Sequence, residues 1–165
     1  MGDKLKLGGV FVAECYDKHG RKKWEDKFHN VVVNVGVQHT LDVLFAGGTQ
    51  VNPWYMGLLA TTAITSTMTS TDISEATECS DAQRPTFVDG RTANTVDNSS
   101  GKSTFNIDAD GTTVEGAFLI SSEDFGSTEG ILLSGGVFSG GTKVGDSGDK
   151  IIVTYTFVGS DDTSS

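Results

Sequence analysis

The run GDKIIVTYTFVG (residues 148–159) restricts the fold more than any other stretch of this chain. In extended backbone successive side chains point to opposite faces. Ile151, Val153, Tyr155 and Phe157 therefore share one face, and Ile152, Thr154, Thr156 and Val158 share the other. Both faces carry β-branched or aromatic residues, which suit a pleated surface. A strand of this kind sits centrally in a sheet, or has its second face covered by a neighbour.

Companion strands are legible along the chain. VFVAECYDKHGRKKWEDKFH reads as a hairpin turning around Gly20, where a loop needs positive φ, and NVVVN follows it. NPWYMGLLA reads as a strand that opens at Pro53, with Gly57 marking a bulge or a close backbone approach. RPTFVDGRTANTV and KSTFNIDAD read as two further strands. TTVEGAFLISS is a strand interrupted at Gly116, and GILLSGGVFSGG is one kinked at Gly135-Gly136. With 21 Gly and 2 Pro in 165 residues, the chain has the makeup of short strands joined by polar turns. The expectation is a mainly β fold: an antiparallel β-sandwich of jelly-roll type, about eight strands, with one short α-helix. Residues 1–160 form a single domain and residues 161–165 a polar tail. The segment 61–83 is poor in apolar residues and reads as a long loop with one helical turn near residues 72–77; loops of that length are usually functional or mobile.

The exception to strand periodicity is LDVLFAGG (residues 41–48). Val37, Leu41, Leu44 and Phe45 stand at i, i+4, i+7 and i+8, one helical face. Asn34 is the expected N-cap, Gly36 weakens the first turn, and Gly47-Gly48 stop the helix. So short a helix is unstable alone in water. The reading is a plug: Leu41, Leu44 and Phe45 close an open end or face of the sandwich.

The formal net charge of -10 argues against a nucleic-acid partner and against an anionic membrane surface. The basic residues are unevenly placed, with Lys4, Lys6, Lys18, Arg21, Lys22, Lys23 and Lys27 all in the first thirty positions. They read either as a solvated hairpin or as a less acidic docking edge. Cys15 and Cys79 have no metal-type spacing and read as free thiols of a reducing compartment. The N-terminal residues lack the apolar core of a signal peptide, and no run is long enough to span a membrane. The sequon at Asn98 therefore carries little meaning.

A search for chemistry finds no nucleophile elbow, P-loop or dinucleotide fingerprint. His19, His29 and His39 are isolated from one another. DADGTTVEG (residues 108–116) has Asp108, Asp110, Gly111 and Glu115 but fails the spacing of a calcium loop. GDSGDK (residues 145–150) matches the surroundings of a serine-protease nucleophile only superficially and reads as a polar turn. Glu14, Asp17, Glu25 and Asp26 offer a carboxylate pair of glycosidase type or merely a charged hairpin. Trp24, Trp54 and Tyr55 line a sugar or protein site, or belong to the core. The expectation is a protein that is not an enzyme and carries no cofactor or metal.

Four stretches, ECYDKHGRKKWEDKFHNVVVNVGVQHTLDVLF, GGTQVNPWYMGLL, VEGAFLISSEDFGSTEGILLS and GDKIIVTYTF, resemble in their order the small virion proteins of tailed bacteriophages. The resemblance covers most of the chain and is weakest from Thr61 to Ser103. It implies a capsid decoration (cement) protein, made in the host cytoplasm and carried on the outer capsid surface of the virion. There it would bridge and stabilise major capsid protein subunits and contact neighbouring copies of itself as a homo-oligomer. The partner-binding residues expected on this basis are Arg21, Lys22, Lys23, Trp24, Trp54 and Tyr55. The alternative is a tail or head-fibre module that binds a host receptor or carbohydrate.

Overall fold

The computed structural model describes residues 4–161. In chain order the elements are β1 (Leu5–Tyr16), β2 (Lys22–His29), β3 (Val31–Val32), α1 (Asn34–Phe45), β4 (Tyr55–Leu59), a 3-10 turn (Ser70–Asp72), β5 (Gly90–Thr92) and β6 (Thr95–Asp97). They continue with β7 (Ser103–Asn106), β8 (Thr112–Val114), β9 (Gly116–Ile120), β10 (Leu132–Val137), β11 (Lys143–Gly145) and β12 (Lys150–Asp161). The fold is mainly β, all strand pairs named are antiparallel, and α1 is the one α-helix among the described residues.

The doubly apolar strand is central, as its pattern demands. β12 pairs with β1 along its whole length, from Leu5 opposite Asp161 to Tyr16 opposite Lys150. Its other edge is shared: β7 pairs with residues 150–153 and β6 with residues 156–158. Between those two partners the ladder is broken, and the buried side chain of Asn98 fills the gap. Its Nδ2 donates to the Val153 carbonyl (3.1 Å), and its Oδ1 accepts from the Tyr155 N–H (2.8 Å). β2 and β5 complete this sheet on either side. The hairpin turn between β1 and β2 forms as expected, with Gly20 at φ +79° and the Asp17 carboxylate accepting from the His19 and Arg21 N–H groups.

A second sheet runs β3-β10-β9-β4, and β8 and β11 form a two-stranded ribbon. Side chains of the two larger sheets share one core: Phe11, Ala13, Phe105, Ile151, Val153 and Tyr155 from the first meet Met56, Leu58, Ala117, Leu119 and Leu133 from the second. This is a sandwich-like, two-layer arrangement. The Phe11 ring stacks on Tyr155 with centroids 4.0 Å apart. Gly57 is a close approach rather than a bulge, because the Phe118 ring lies where its Cβ would be. The interruption read at Gly116 marks where the chain leaves β8 and enters another sheet as β9. RPTFVDGRTANTV is not one strand but holds the β5–β6 hairpin, turning at Ala93 with φ +53°.

The helix corrects the plug expectation. Leu41, Leu44 and Phe45 are 49%, 60% and 82% exposed. The sheets' own side chains fill most of the interior, and of the α1 side chains only Val35, in the first turn, packs against a core cluster. The helix is attached by its first turn instead. Val33, not Asn34, is the N-cap and is fully buried, and Gly36 is the buried residue of α1. A Cβ at Gly36 would run into the Leu133 carbonyl of β10. The helix ends where the glycines predict: the Ala46 and Gly48 N–H groups both bond the Asp42 carbonyl, with Gly47 at φ +72°.

The segment 61–83 is not a loose loop. Ile64, Met68 and Ile73 pack on the second core cluster, and Ala76 is buried in the first. Residues 74–76 lie along the free edge of β4, with Ala60 N–H bonded to Ser74 and Ala76 N–H to Leu58. The helical turn falls at Ser70–Asp72, earlier than the sequence reading placed it, and is closed by reciprocal Thr69–Asp72 bonds. Of the expected tail, Asp161 belongs to β12 and residues 162–165 lie outside the described residues.

Candidate functional site

Three basic residues of the hairpin, Arg21, Lys22 and Lys23, are ion-paired within the protein. Arg21 pairs with Asp17 at 2.9 Å, and Lys22 with Glu25 at 2.6 Å and Glu14 at 3.5 Å. Lys23 reaches across to Asp146 and to the buried carboxylate of Asp149. These hydrogen bonds, that with Asp149 first, raise the Lys23 pKa above its ordinary value, and the same ammonium holds the Asp146 carboxyl below its own. Trp24 packs edge-on against Phe138 and donates its indole N–H to the Val144 carbonyl (2.9 Å), so it ties β2 to β11. Tyr55 donates its hydroxyl to Glu123 at 3.3 Å. The structure thus separates the six residues expected at a partner surface: Arg21 and Lys22 are paired within the hairpin, Lys23 and Trp24 are tied to residues 144–149, Tyr55 is bonded to Glu123, and Trp54 lines a cleft of its own.

The other candidates of the sequence are turn and anchor residues. Asp26 is buried and accepts from the Ser139 N–H and hydroxyl and the Gly140 N–H. Asp110 accepts from the Ser147 N–H and Asp146 from the Gly111 N–H, so the turns at residues 108–111 and 146–149 stitch each other together. Glu115 accepts from the Thr142 hydroxyl. Ser147 and His19 line one open groove, yet no hydrogen bond joins their side chains. Burial, then the nearby Asp149 charge, pushes the Cys15 thiol up to about 12, far from a reactive thiolate. Among the described residues no group of three or more His, Cys, Asp or Glu converges on a metal position, and no helix is long and apolar enough to cross a membrane.

Two features missed by sequence reasoning stand out. One is the exposed helix face of Leu41, Leu44 and Phe45. Its i, i+3, i+4 spacing was visible; its direction was not. The other lies beside it, around Trp54. A cleft of about 340 Å³ has Trp54, Phe87 and Phe157 among its apolar lining and Gln50, Asn52, Asp89 and Arg91 among its polar lining. A shallower groove between α1 and Trp54 shares the Gln50–Trp54 wall and includes His39, Val43 and Leu44. His39 stands edge-on to Trp54 with centroids 5.7 Å apart. Trp54, unlike Trp24, makes no hydrogen bond with its indole N–H among the described residues. The cleft draws on segments far apart in the chain, which is why periodicity gave no sign of it.

A buried ion pair holds the surrounding loops in place. Arg84 forms a two-pronged pair with Glu75 (2.8 Å for each bond) and donates further to the Ser122 and Ser127 carbonyls. Glu75 also accepts from the Gly126 N–H at 2.6 Å. Segment 61–83 and the β9–β10 connection are therefore clamped to one guanidinium.

No family model, no curated protein and no solved structure matches this chain.

Proposed function

We propose that the protein is a structural component of a tailed-bacteriophage particle, and specifically a capsid decoration (cement) protein that bridges major capsid subunits. The observation that carries this reading is the exposed apolar face of α1. Leu41, Leu44 and Phe45 project from an otherwise acidic β body, next to the groove beside Trp54. Contiguous apolar surface of this kind marks a contact site, and Trp and large apolar side chains are the usual anchors of interfaces. Repeated over a shell, modest contacts of this type add up. The docking residues under this reading are Leu41, Leu44, Phe45 and Trp54 rather than the internally paired Arg21, Lys22 and Lys23. Within it, the two-layer body is of jelly-roll type. Support comes from the side-by-side pairing of β1 and β12 and from connections that cross between sheets, as from β2 to β3 and from β4 to β5.

The test uses particles stripped of the protein. Wild-type chain added back should bind in hundreds of copies and raise the temperature at which particles rupture. Leu44→Asp should bind weakly and protect poorly while keeping its own melting temperature. Unchanged add-back by Leu44→Asp and Phe45→Ser would overturn the role of this face. A few copies at one vertex would instead favour the second reading, a tail or head-fibre module, to which the Trp54 cleft lends support.

A further inference from the structure

We propose that the cleft beside Trp54 is a binding site for a neutral saccharide. Its volume, about 340 Å³, falls in the range of ligand pockets, about 300–1,000 Å³, and is ample for one pyranose ring. The lining is divided in the way a sugar is divided. Trp54 and Phe157 are half-buried and give an apolar wall, against which the C–H face of a pyranose stacks. Gln50, Asn52, Asp89 and Arg91 are exposed around it, and all four are planar polar groups. Between them they present carboxylate acceptors, guanidinium donors and amides that do both. Hydroxyl groups, each a donor and an acceptor, match that set.

The same groups exclude other ligand classes. Asp89 and Arg91 cancel in charge, so the rim favours neither an anion nor a cation, and the chain's net charge of -10 disfavours anions further. A wholly apolar ligand would make no use of the four polar side chains of the rim. None of Gln50, Asn52 or Asp89 forms a side-chain hydrogen bond among the described residues. Arg91 spends one N–H on the Ala93 carbonyl (3.2 Å) and keeps the others free. The Trp54 indole N–H is equally unspent. The contrast with Trp24, whose N–H is bonded, separates the site tryptophan from the structural one.

The proposal does not depend on the particle role, and one set of variants separates the two. The full chain is titrated with the methyl glycosides of glucose, galactose and N-acetylglucosamine, and with cyclohexanol as an apolar probe of similar size. Amide and indole N–H NMR shifts are followed. At least one glycoside should shift Asn52, Trp54, Asp89 and Arg91 together and saturate. Asp89→Ala and Arg91→Ala, both at exposed positions, should each weaken that binding by about tenfold with an unchanged melting temperature. Leu44→Asp should leave it intact. Absence of shifts at these residues with all three glycosides would overturn the proposal. So would equal binding of cyclohexanol, or undiminished glycoside binding in both rim variants.

Discussion

The carboxamide of Asn98 stands in for one peptide unit. Where β7 ends and β6 has yet to begin, β12 would have an unmet carbonyl at Val153 and an unmet N–H at Tyr155, and Asn98 satisfies both. Asn98→Ala should cost about 1–3 kcal/mol for each group left without a partner. Asn98→Asp keeps the acceptor but sets a carboxylate oxygen against the Val153 carbonyl at a fully buried position, and should cost at least as much as Asn98→Ala; urea denaturation of the three proteins is the measurement. Gly36 makes a related point about space. Alanine is the better helix former by about 1 kcal/mol, yet a methyl group at position 36 collides with the backbone of Leu133. Collision should win, and Gly36→Ala should destabilise by about 1–3 kcal/mol in the same assay. Neither role was legible in the sequence. Asn98 reads there as a sequon and Gly36 as a weak helix position, because both owe their function to neighbours distant in the chain.

The strands were legible where they are long enough to show a period of two. β1, β2 and β12 cover the stretches where alternation is visible, β8 is legible only as the start of one strand with β9, and β11, three residues long, carries no pattern to read. The helix was legible as a helix and misread as a plug. An apolar stripe has the same spacing whether it faces a core or a partner, and only the packing of the sheets decides which. Leu44→Ala therefore should change stability by no more than about 0.5 kcal/mol, the usual range for surface positions, against the 2–5 kcal/mol typical of a buried leucine. A thermal melt distinguishes these outcomes. The candidate cleft was legible only as Trp54, one of three aromatic residues singled out. Its polar rim comes from the turn before β4 and the approach to β5, which the sequence places some forty residues apart.

Across the molecule, stability should fall on the alkaline side. Burial first, then nearby carboxylates, pushes the Cys15 and Cys79 thiols up to about 12, whereas an unfolded thiol titrates near 8.5. A group whose folded pKa is raised contributes fully below its unfolded pKa and loses that contribution as pH rises toward the folded one. The melting temperature should thus decline from about pH 8.5 upward. Cys15→Ala and Cys79→Ala should each flatten the decline between pH 8 and 10, whatever they do to the melting temperature at pH 7. Lys23, raised by Asp149 and Asp146, acts with the same sign at higher pH. The placement of β12 has a consequence for biosynthesis. Every neighbour of that strand, β1, β6 and β7, leaves the ribosome before it does, and each emerges with a hydrogen-bonding edge that nothing yet occupies. A nascent chain stalled short of Lys150 is a set of sticky ribbons without a keystone. Each copy carries those vacant edges until β12 has been made.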